Sequence, residues 1–228
     1  GIRGLNITVP HKKNIMKFLD SLSEEAALIG AVNTVVVDND KLIGHNTDGR
    51  GFIKSLDEIG FNPRNKSFLI LGSGGAAQAI CVGIAALKPK EIFICDVIKE
   101  RANSLRAHVR RIFTRCYIEA VPVDSVRVVK DRLDILVNAT PIGLKETDPL
   151  PVDGELLRKG VLVYDLIYNP MMTRLLALAK KRSLRFSNGL AMLLFQGALS
   201  FKLWTKRQPP LTVMRKALCG EILKCKAS

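Results

Sequence analysis

The length, composition and charge of the chain restrict its fold and its partners. With 228 residues, 47% of them hydrophobic and 25% charged, the chain can form one large domain or two small ones around a packed core. We find no apolar run of about eighteen residues and no basic start followed by an apolar stretch, so we expect no transmembrane helix, no signal peptide and no membrane partner.

The net charge of +14 would suit an anionic ligand or nucleic acid. Much of this charge lies in two stretches, Lys99–Arg115 and Lys202–Lys226, which are typical of solvated helix faces. Few aromatic residues interleave with these charges, which argues against a base-stacking surface. We therefore expect no nucleic-acid partner.

The cysteines and histidines indicate neither disulfides nor a metal. No Cys-x-x-Cys pair occurs, and Cys81 and Cys95 lie inside apolar runs. This usage is typical of reduced, buried cysteines in a cytoplasmic protein, and we expect the same of the other three. The three histidines show no ligand spacing, so we expect no metal site.

The first sixty residues predict a small α/β region. Strands are predicted at Leu5–Val9, Val32–Val37 and Lys41–Gly44, and helices at Lys12–Leu19 and Thr47–Ile59. The run Asp38-Asn39-Asp40 suits a hairpin turn between the second and third of these strands. Phe61-Asn62-Pro63 then breaks the pattern, and Arg64–Ser67 has the composition of a linker.

The following residues predict a parallel sheet covered on both faces. Six apolar runs occur, at Phe68–Leu71, Ile92–Cys95, Cys116–Ala120, Asp134–Val137, Val161–Asp165 and Leu184–Ser187. Helical stretches lie between several of them, at Ala76–Leu87, Glu100–Phe113, Asp153–Arg158 and Met172–Arg182. Near-continuous apolar strands that alternate with helices are typical of a Rossmann-type doubly wound α/β fold.

A long apolar helix, Gly189–Trp204, follows the sixth run and could leave the nucleotide domain. We therefore predict three parts: a smaller α/β substrate domain at residues 1–62, a dinucleotide-binding domain at 63–188, and C-terminal helices at 189–228 that return to the substrate domain. We find no internal repeat.

The loop after the first apolar run of the nucleotide domain has the dinucleotide fingerprint. It reads Gly72-Ser73-Gly74-Gly75-Ala76-Ala77 and opens a helix, the context that this motif requires. The first glycine allows a tight turn, the second lets the backbone approach a pyrophosphate, and Ala77 permits close packing of helix on strand. The pyrophosphate would lie on free N–H groups at the helix N-terminus.

Asp96 ends the second apolar run, about twenty residues beyond the loop. A carboxylate there can accept hydrogen bonds from an adenosine ribose diol and would repel a 2′-phosphate. The cofactor is therefore NAD or NADP, with NAD favoured by Asp96. The alternative is a solvent-facing Asp96 that caps the next helix.

Lys12 and Asp48 are candidates for proton transfer. Each is predicted at a helix start, and a lysine held by a carboxylate can protonate the alkoxide formed when a hydride is added to a carbonyl. The alternatives are an ordinary solvated lysine and a helix-capping aspartate.

Seven motifs together resemble those of shikimate dehydrogenases, over nearly the whole chain and in matching order. They are Asn-Ile-Thr-Val-Pro-His-Lys at 6–12, Gly-Ala-Val-Asn-Thr at 30–34, Asn-Thr-Asp-Gly at 46–49, Gly-Ser-Gly-Gly-Ala at 72–76, Asn-Ala-Thr-Pro-Ile-Gly at 138–143, Tyr-Asn-Pro at 168–170 and Asn-Gly-Leu-Ala-Met-Leu-Leu-Phe-Gln at 188–196. The resemblance implies reversible reduction of 3-dehydroshikimate to shikimate with a nicotinamide cofactor.

The resemblance also implies roles for individual residues. Lys12 and Asp48 correspond to the catalytic pair. Substrate contacts are implied for Asn6, Thr8, Asn33, Tyr168 and Gln196. Cofactor contacts are implied for the loop Gly72, Ser73, Gly74, Gly75 and Ala76, for Asp96, for Asn138, Ala139 and Thr140, and for Gly189 and Met192. Asn33 could instead be a turn residue and Met192 plain core, whereas an amide such as Gln196 in an apolar helix needs partners.

The chain departs from the family pattern at two places. The family has an upstream strand with a Ser-x-Ser pair that grips the substrate carboxylate, and we expect a truncation before Gly1 or impaired substrate binding. Members that use NADP carry an Asn-Arg-Thr type run where this chain has Cys95-Asp96-Val97, as in NAD-preferring, quinate-accepting relatives. Three further possibilities stay open. The substrate could be quinate, the chain could be a cofactor-binding regulatory module without catalysis, and the protein could form a homodimer.

Overall fold

The computed structural model describes the backbone of residues 1–224 and the side chains of residues 1–220. It divides into two compact units, one of residues 1–58 together with residues 191 onward, and one of residues 59–190. The strands are β1 (Gly4–Asn6), β2 (Ser21–Leu22), β3 (Thr34–Asp38), β4 (Lys41–His45), β5 (Ser67–Leu71), β6 (Glu91–Cys95), β7 (Ile118–Ala120), β8 (Ile135–Asn138), β9 (Leu162–Asp165) and β10 (Phe186–Ser187). The α-helices are α1 (Glu24–Ile29), α2 (Asp48–Glu58), α3 (Gly75–Ala85), α4 (Lys99–Ile112), α5 (Arg174–Lys181), α6 (Leu190–Thr205) and α7 (Leu211–Lys224).

The unit of residues 59–190 is a doubly wound α/β domain, as predicted. Its six strands are all parallel and lie in the order β10-β9-β8-β5-β6-β7. The order reverses beside β5, and in such sheets ligands bind at the carboxyl ends of the strands next to this reversal. Strands β5 and β6 are buried along their whole length, as expected for strands covered on both faces.

The other unit contains a four-stranded sheet in the order β1-β3-β4-β2. Strands β3 and β4 form the predicted hairpin, whose loop is Asn39-Asp40, and both loop residues have positive φ angles of 49° and 60°. Such angles are typical of a two-residue turn that matches the twist of the strands. Ala26, Val32 and Val35 form the buried core beside this sheet.

Several predicted elements differ from the observed ones. The helix predicted at Lys12–Leu19 is a turn followed by a 3₁₀ helix at Asn14–Phe18, because the Lys12 carbonyl accepts the Val32 N–H at 2.8 Å and does not continue a helix. The stretch Asp153–Arg158 forms only a 3₁₀ turn, at Gly154–Leu156. A third 3₁₀ segment, Val123–Arg132, was not predicted.

The strand predicted at Leu5–Val9 ends at Asn6, so Asn6 and Thr8 do not share a strand face. The chain turns after Thr8, where the His11 N–H donates to the Thr8 carbonyl at 2.8 Å. One more backbone bond, from the Ile7 N–H to the Asn33 carbonyl at 2.7 Å, follows β1 before this turn.

The four cysteines that the structure describes form no disulfide, but only two of the four are buried. Cys81 and Cys95 are buried as predicted, whereas Cys116 and Cys219 are partly exposed, so the prediction of burial was wrong for these two. Cys225 lies outside the described residues. Within residues 1–224, no helix has the length and apolar character needed to cross a bilayer.

Candidate functional site

The glycine-rich loop joins β5 to α3 and leaves room for a ligand. Gly72 has a φ of 94°, and a Cβ added to it would lie 3.0 Å from the Ala139 carbonyl oxygen, so a side chain would be both strained and crowded there. A Cβ added to Gly74 would meet nothing within 4 Å, so there is open space at the start of α3. The first N–H groups of a helix lack partners within the helix and suit an anion. The loop therefore fits a pyrophosphate.

Asp96 is fixed beside this loop. One carboxylate oxygen accepts a hydrogen bond from Ser73 Oγ at 2.5 Å, and the other accepts the Ile98 N–H at 2.9 Å. A small pocket beyond β6 and β7 is lined by Asp96, Lys99, Ala102, Ala120, Val121 and Pro122. A ligand group that enters this pocket would meet the negative charge of Asp96.

Asn138 and the buried Asp165 hold the loops beyond β8 and β9 together. The Asn138 amide donates to Asp165 Oδ1 at 3.0 Å, and its Oδ1 accepts the Thr140 hydroxyl at 2.7 Å. Asp165 also accepts the Thr173 hydroxyl at 2.7 Å and the Ile167 N–H at 3.1 Å. Asp165 is fully buried, and burial raises the pKa of its carboxyl, an effect that these hydrogen bonds oppose.

We expect Asp165→Asn to flatten part of the pH dependence of stability. Because its pKa is raised in the folded state, folded Asp165 binds a proton more tightly than the unfolded chain does. Its contribution is therefore present below about pH 4, the unfolded pKa, and is lost as the pH rises through the folded pKa. Asparagine keeps two acceptor bonds on its oxygen and can donate to Thr173, but it carries no charge.

Urea unfolding at several pH values between about 4 and 7 measures this effect. The free energy of unfolding of the wild type should fall relative to that of Asp165→Asn as the pH rises. A constant difference would contradict the assignment. Asp165→Ala, which removes three acceptor contacts, should lose about 2 kcal/mol or more at every pH.

Lys12 and Asp48 form a sheltered ion pair. Lys12 Nζ lies 2.6 Å from Asp48 Oδ2, and the two side chains are only 13% and 6% exposed. Lys12 lies in the turn after Pro10, and Asp48 is the first residue of α2, where the Asn46 amide oxygen accepts its N–H at 3.0 Å. A carboxylate is favoured at a helix N-terminus. The position of the Lys12 ammonium is therefore set by two elements, the turn after Pro10 and the first residue of α2.

Asn33 holds the other oxygen of Asp48. Its Nδ2 donates to Asp48 Oδ1 and to Thr47 Oγ1, both at 2.8 Å. Its Oδ1 accepts the Thr47 N–H and the Thr34 hydroxyl, both at 2.9 Å. Because a backbone N–H can only donate, the contact with Thr47 N fixes which way the amide points. Asn33 is 2% exposed, and Asp48 is held at both oxygens.

The remaining predicted substrate residues of this unit differ in their surroundings. Gln196 on α6 accepts from Asn33 Nδ2 at 3.3 Å and donates to the Leu193 carbonyl at 2.9 Å, so its amide has the partners that we expected. Asn6 donates to the Asn33 carbonyl at 3.2 Å. Thr8 is exposed beyond the end of β1. Met192 on α6, a predicted cofactor contact, is buried.

The other predicted residues lie in the unit of residues 59–190. Tyr168 is 39% exposed. A Cβ added to Gly189 would lie 1.9 Å from the Leu166 carbonyl oxygen, so only glycine permits this approach. Ala139 donates its N–H to the Leu71 carbonyl at 2.9 Å, which joins the segment 138–140 to the glycine-rich loop.

Three hydroxyl residues, Thr34, Thr47 and Ser200, were not predicted. Together with Asn6, Asn33 and Gln196 they form what we call the polar cluster. Thr34 and Thr47 contact Asn33, and Ser200 contacts both threonines, at 2.7 and 3.4 Å. Two of these hydroxyls directly neighbour predicted residues in the sequence. Ser200 follows Gln196 by four residues, which places both on one face of α6, and this spacing was the available signal.

Comparison with known proteins identifies the family. Residues 1–35 match the shikimate dehydrogenase substrate binding domain, and residues 189–219 match the shikimate 5′-dehydrogenase C-terminal domain. The chain is 41% identical to a shikimate dehydrogenase (NADP⁺) of Methanocaldococcus jannaschii, over 98% of this chain and 79% of that protein. The chain belongs to the shikimate dehydrogenase family.

Solved structures of the shikimate dehydrogenase family have the same fold. The Listeria monocytogenes shikimate 5-dehydrogenase, in complex with shikimate and NAD, has a TM-score of 0.87 and 36% identity, over 95% of this chain and 78% of that one. A quinate dehydrogenase of Corynebacterium glutamicum, in complex with NAD, has a TM-score of 0.87 and 31% identity, over 96% and 78% of the two chains. These two relatives contain NAD, whereas the Methanocaldococcus jannaschii relative is named for NADP⁺.

Proposed function

We propose that this protein is an NAD(P)-dependent shikimate dehydrogenase that interconverts 3-dehydroshikimate and shikimate. The observation that carries the proposal is the ion pair of Lys12 and Asp48, 2.6 Å long and largely shielded from water. Membership of the family and the open space at Gly74, at the start of α3, support it. We propose that residues 59–190 supply most of the cofactor contacts and that the other unit supplies most of the substrate contacts.

The proposed reaction needs one hydride and one proton in the direction of reduction. A nicotinamide dinucleotide held by the glycine-rich loop would supply the hydride. We infer that Lys12 Nζ gives its proton to the carbonyl oxygen, which becomes the new hydroxyl. Asp48 holds the ammonium in position for this transfer. In the reverse direction, Lys12 accepts the proton of the hydroxyl that is oxidised.

The polyol acid would be held by amides and hydroxyls, which can both donate and accept. We propose this role for Asn6, Thr8, Asn33, Tyr168 and Gln196. Cofactor contacts are proposed for Gly72, Ser73, Gly74, Gly75, Ala76, Asp96, Asn138, Ala139, Thr140, Gly189 and Met192. Assembly as a homodimer stays a prediction.

We further propose a preference for NAD over NADP. Asp96 is held beside the loop by Ser73 and carries its negative charge where the adenosine ribose is expected. The carboxylate can accept hydrogen bonds from a ribose diol and repels a 2′-phosphate. The relative from Methanocaldococcus jannaschii is named for NADP⁺, so this preference would distinguish the chain from that relative.

A direct assay tests the proposal. We expect the purified protein to reduce NAD in the presence of shikimate, more efficiently than it reduces NADP, in a spectrophotometric assay that crosses both cofactors with shikimate and quinate. Comparable turnover of quinate would assign a shikimate and quinate dehydrogenase. Saturable cofactor binding without oxidation of either acid would contradict the proposal and indicate a cofactor-binding module.

A further inference from the structure

Ser200 lies fully buried at the centre of the polar cluster beside the ion pair. Its hydroxyl oxygen lies 2.7 Å from Thr34 Oγ1, 3.2 Å from Asn6 Nδ2 and 3.1 Å from the carbonyl oxygen of Gln196. These contacts join strands β1 and β3 to helix α6. Ser200 contacts neither Lys12 nor Asp48 in any described hydrogen bond, so any effect on them must pass through other side chains.

The donors that each group possesses limit the directions that these hydrogen bonds can take. The Asn6 Nδ2 can only donate, so Ser200 accepts from it. The single hydrogen of the Thr34 hydroxyl is directed to Asn33 Oδ1 at 2.9 Å. When the Thr34 hydrogen is on Asn33, Ser200 is the donor in its 2.7 Å contact with Thr34. The Gln196 carbonyl, 3.1 Å away, is the other acceptor open to the same Ser200 hydrogen.

In this arrangement the hydrogen bonds form a chain in which every donor points the same way. It runs from Asn6 to Ser200, Thr34, Asn33 and finally Asp48. In such chains each bond polarises the next, so the links strengthen one another in a buried environment. The last link holds the Asp48 oxygen that Lys12 does not contact.

We propose that Ser200 is a positioning residue that connects the Asn6 amide to the Asp48 carboxylate through this chain. The proposal rests on the proposed function of Lys12 and Asp48. By donating to Thr34, Ser200 keeps the Thr34 hydrogen on Asn33 and thereby keeps the Asn33 amide hydrogen on Asp48. Without Ser200, the Thr34 hydroxyl is free to turn, and Asp48 holds the ammonium less firmly.

Ser200→Ala tests the proposal against a matched control, Ser55→Ala. Ser55 is also fully buried, and its hydroxyl donates to a helix carbonyl, that of Phe52, at 2.6 Å. We expect Ser200→Ala to lower kcat for shikimate oxidation about tenfold, with KM for the cofactor unchanged. Ser55→Ala should lower Tm to a similar extent but leave kcat within about twofold. Equal kcat values for the two variants would overturn the proposal.

Thr34→Val breaks the next link and supplies a second test, which also serves if Ser200→Ala does not fold. We expect it to lower kcat about tenfold as well. In the double variant the loss should stay close to that of either single variant, because both changes interrupt one chain. Losses that multiply would show two independent effects and overturn the proposal. An inactive wild type would refute the proposed function itself, whereas an active wild type with unaffected variants refutes only the role of Ser200.

Discussion

Replacement of Lys12 by methionine should reduce kcat for shikimate oxidation by about a thousandfold, within the range typical of lost general acid–base catalysis. Methionine keeps an unbranched side chain of similar length but has no ammonium, so the proton would have to come from water. The Kd for NAD, measured by calorimetry, should change little, because Lys12 is not among the proposed cofactor residues.

The neighbouring Lys13 provides the control for this substitution. Lys13 is exposed and its substitution removes the same charge, so Lys13→Met should keep kcat within about twofold of the wild type. Turnover by Lys12→Met that equals turnover by Lys13→Met would remove Lys12 from the mechanism. A loss of NAD binding in Lys12→Met would instead point to misfolding.

Replacement of Asp96 by asparagine should raise the use of NADP relative to NAD. Asparagine has nearly the same volume and keeps one oxygen as an acceptor, but it no longer repels a 2′-phosphate. We expect the ratio of kcat/KM for NADP to kcat/KM for NAD to rise by about ten- to a hundredfold, which corresponds to roughly 1.4 to 2.7 kcal/mol. Steady-state assays with both cofactors at about 0.15 M ionic strength measure this ratio.

The control for Asp96 is Glu100, an exposed carboxylate on α4. Glu100→Gln removes the same charge nearby and should leave the ratio within about twofold of the wild type, because salt and water screen an exposed charge. If Asp96→Asn and Glu100→Gln shift the ratio equally, the shift comes from the lower negative charge of this region. Asp96 then does not determine cofactor preference.

The Rossmann-type unit could be predicted from the sequence because its strands are nearly continuous apolar runs. Strands β5 and β6 are covered on both faces, so all their residues are buried and their sequences are apolar from the second residue of each strand onward. The short strand β2 and the helix α1 gave no such signal. A helix of six residues can be recognised only by its ends, here the Ser23 cap and Gly30 in a left-handed conformation.

The turn at Lys12 shows where local spacing fails. Periodicity favoured a helix there, but the Lys12 carbonyl bonds to Val32, twenty residues away. Thr34 and Thr47 stand next to predicted residues and Ser200 stands four positions after Gln196, but the contacts that join these hydroxyls span long stretches of the chain. Ser200 and Asn6 are 194 positions apart, and no spacing rule connects residues at that separation. Contacts that depend on tertiary folding lie beyond what propensity and periodicity can report.

The discontinuity of the first unit has a consequence for the order of folding. Residues 59–190 form a contiguous unit, so their contacts can form while later residues are still being synthesised. The unit that carries Lys12 and Asp48 draws on residues 1–58 and on α6, and loop closure between such distant segments is slow. We therefore expect nascent chains to gain the nucleotide fold first, and to complete the surroundings of Asp48 only when Gln196 and Ser200 have been added.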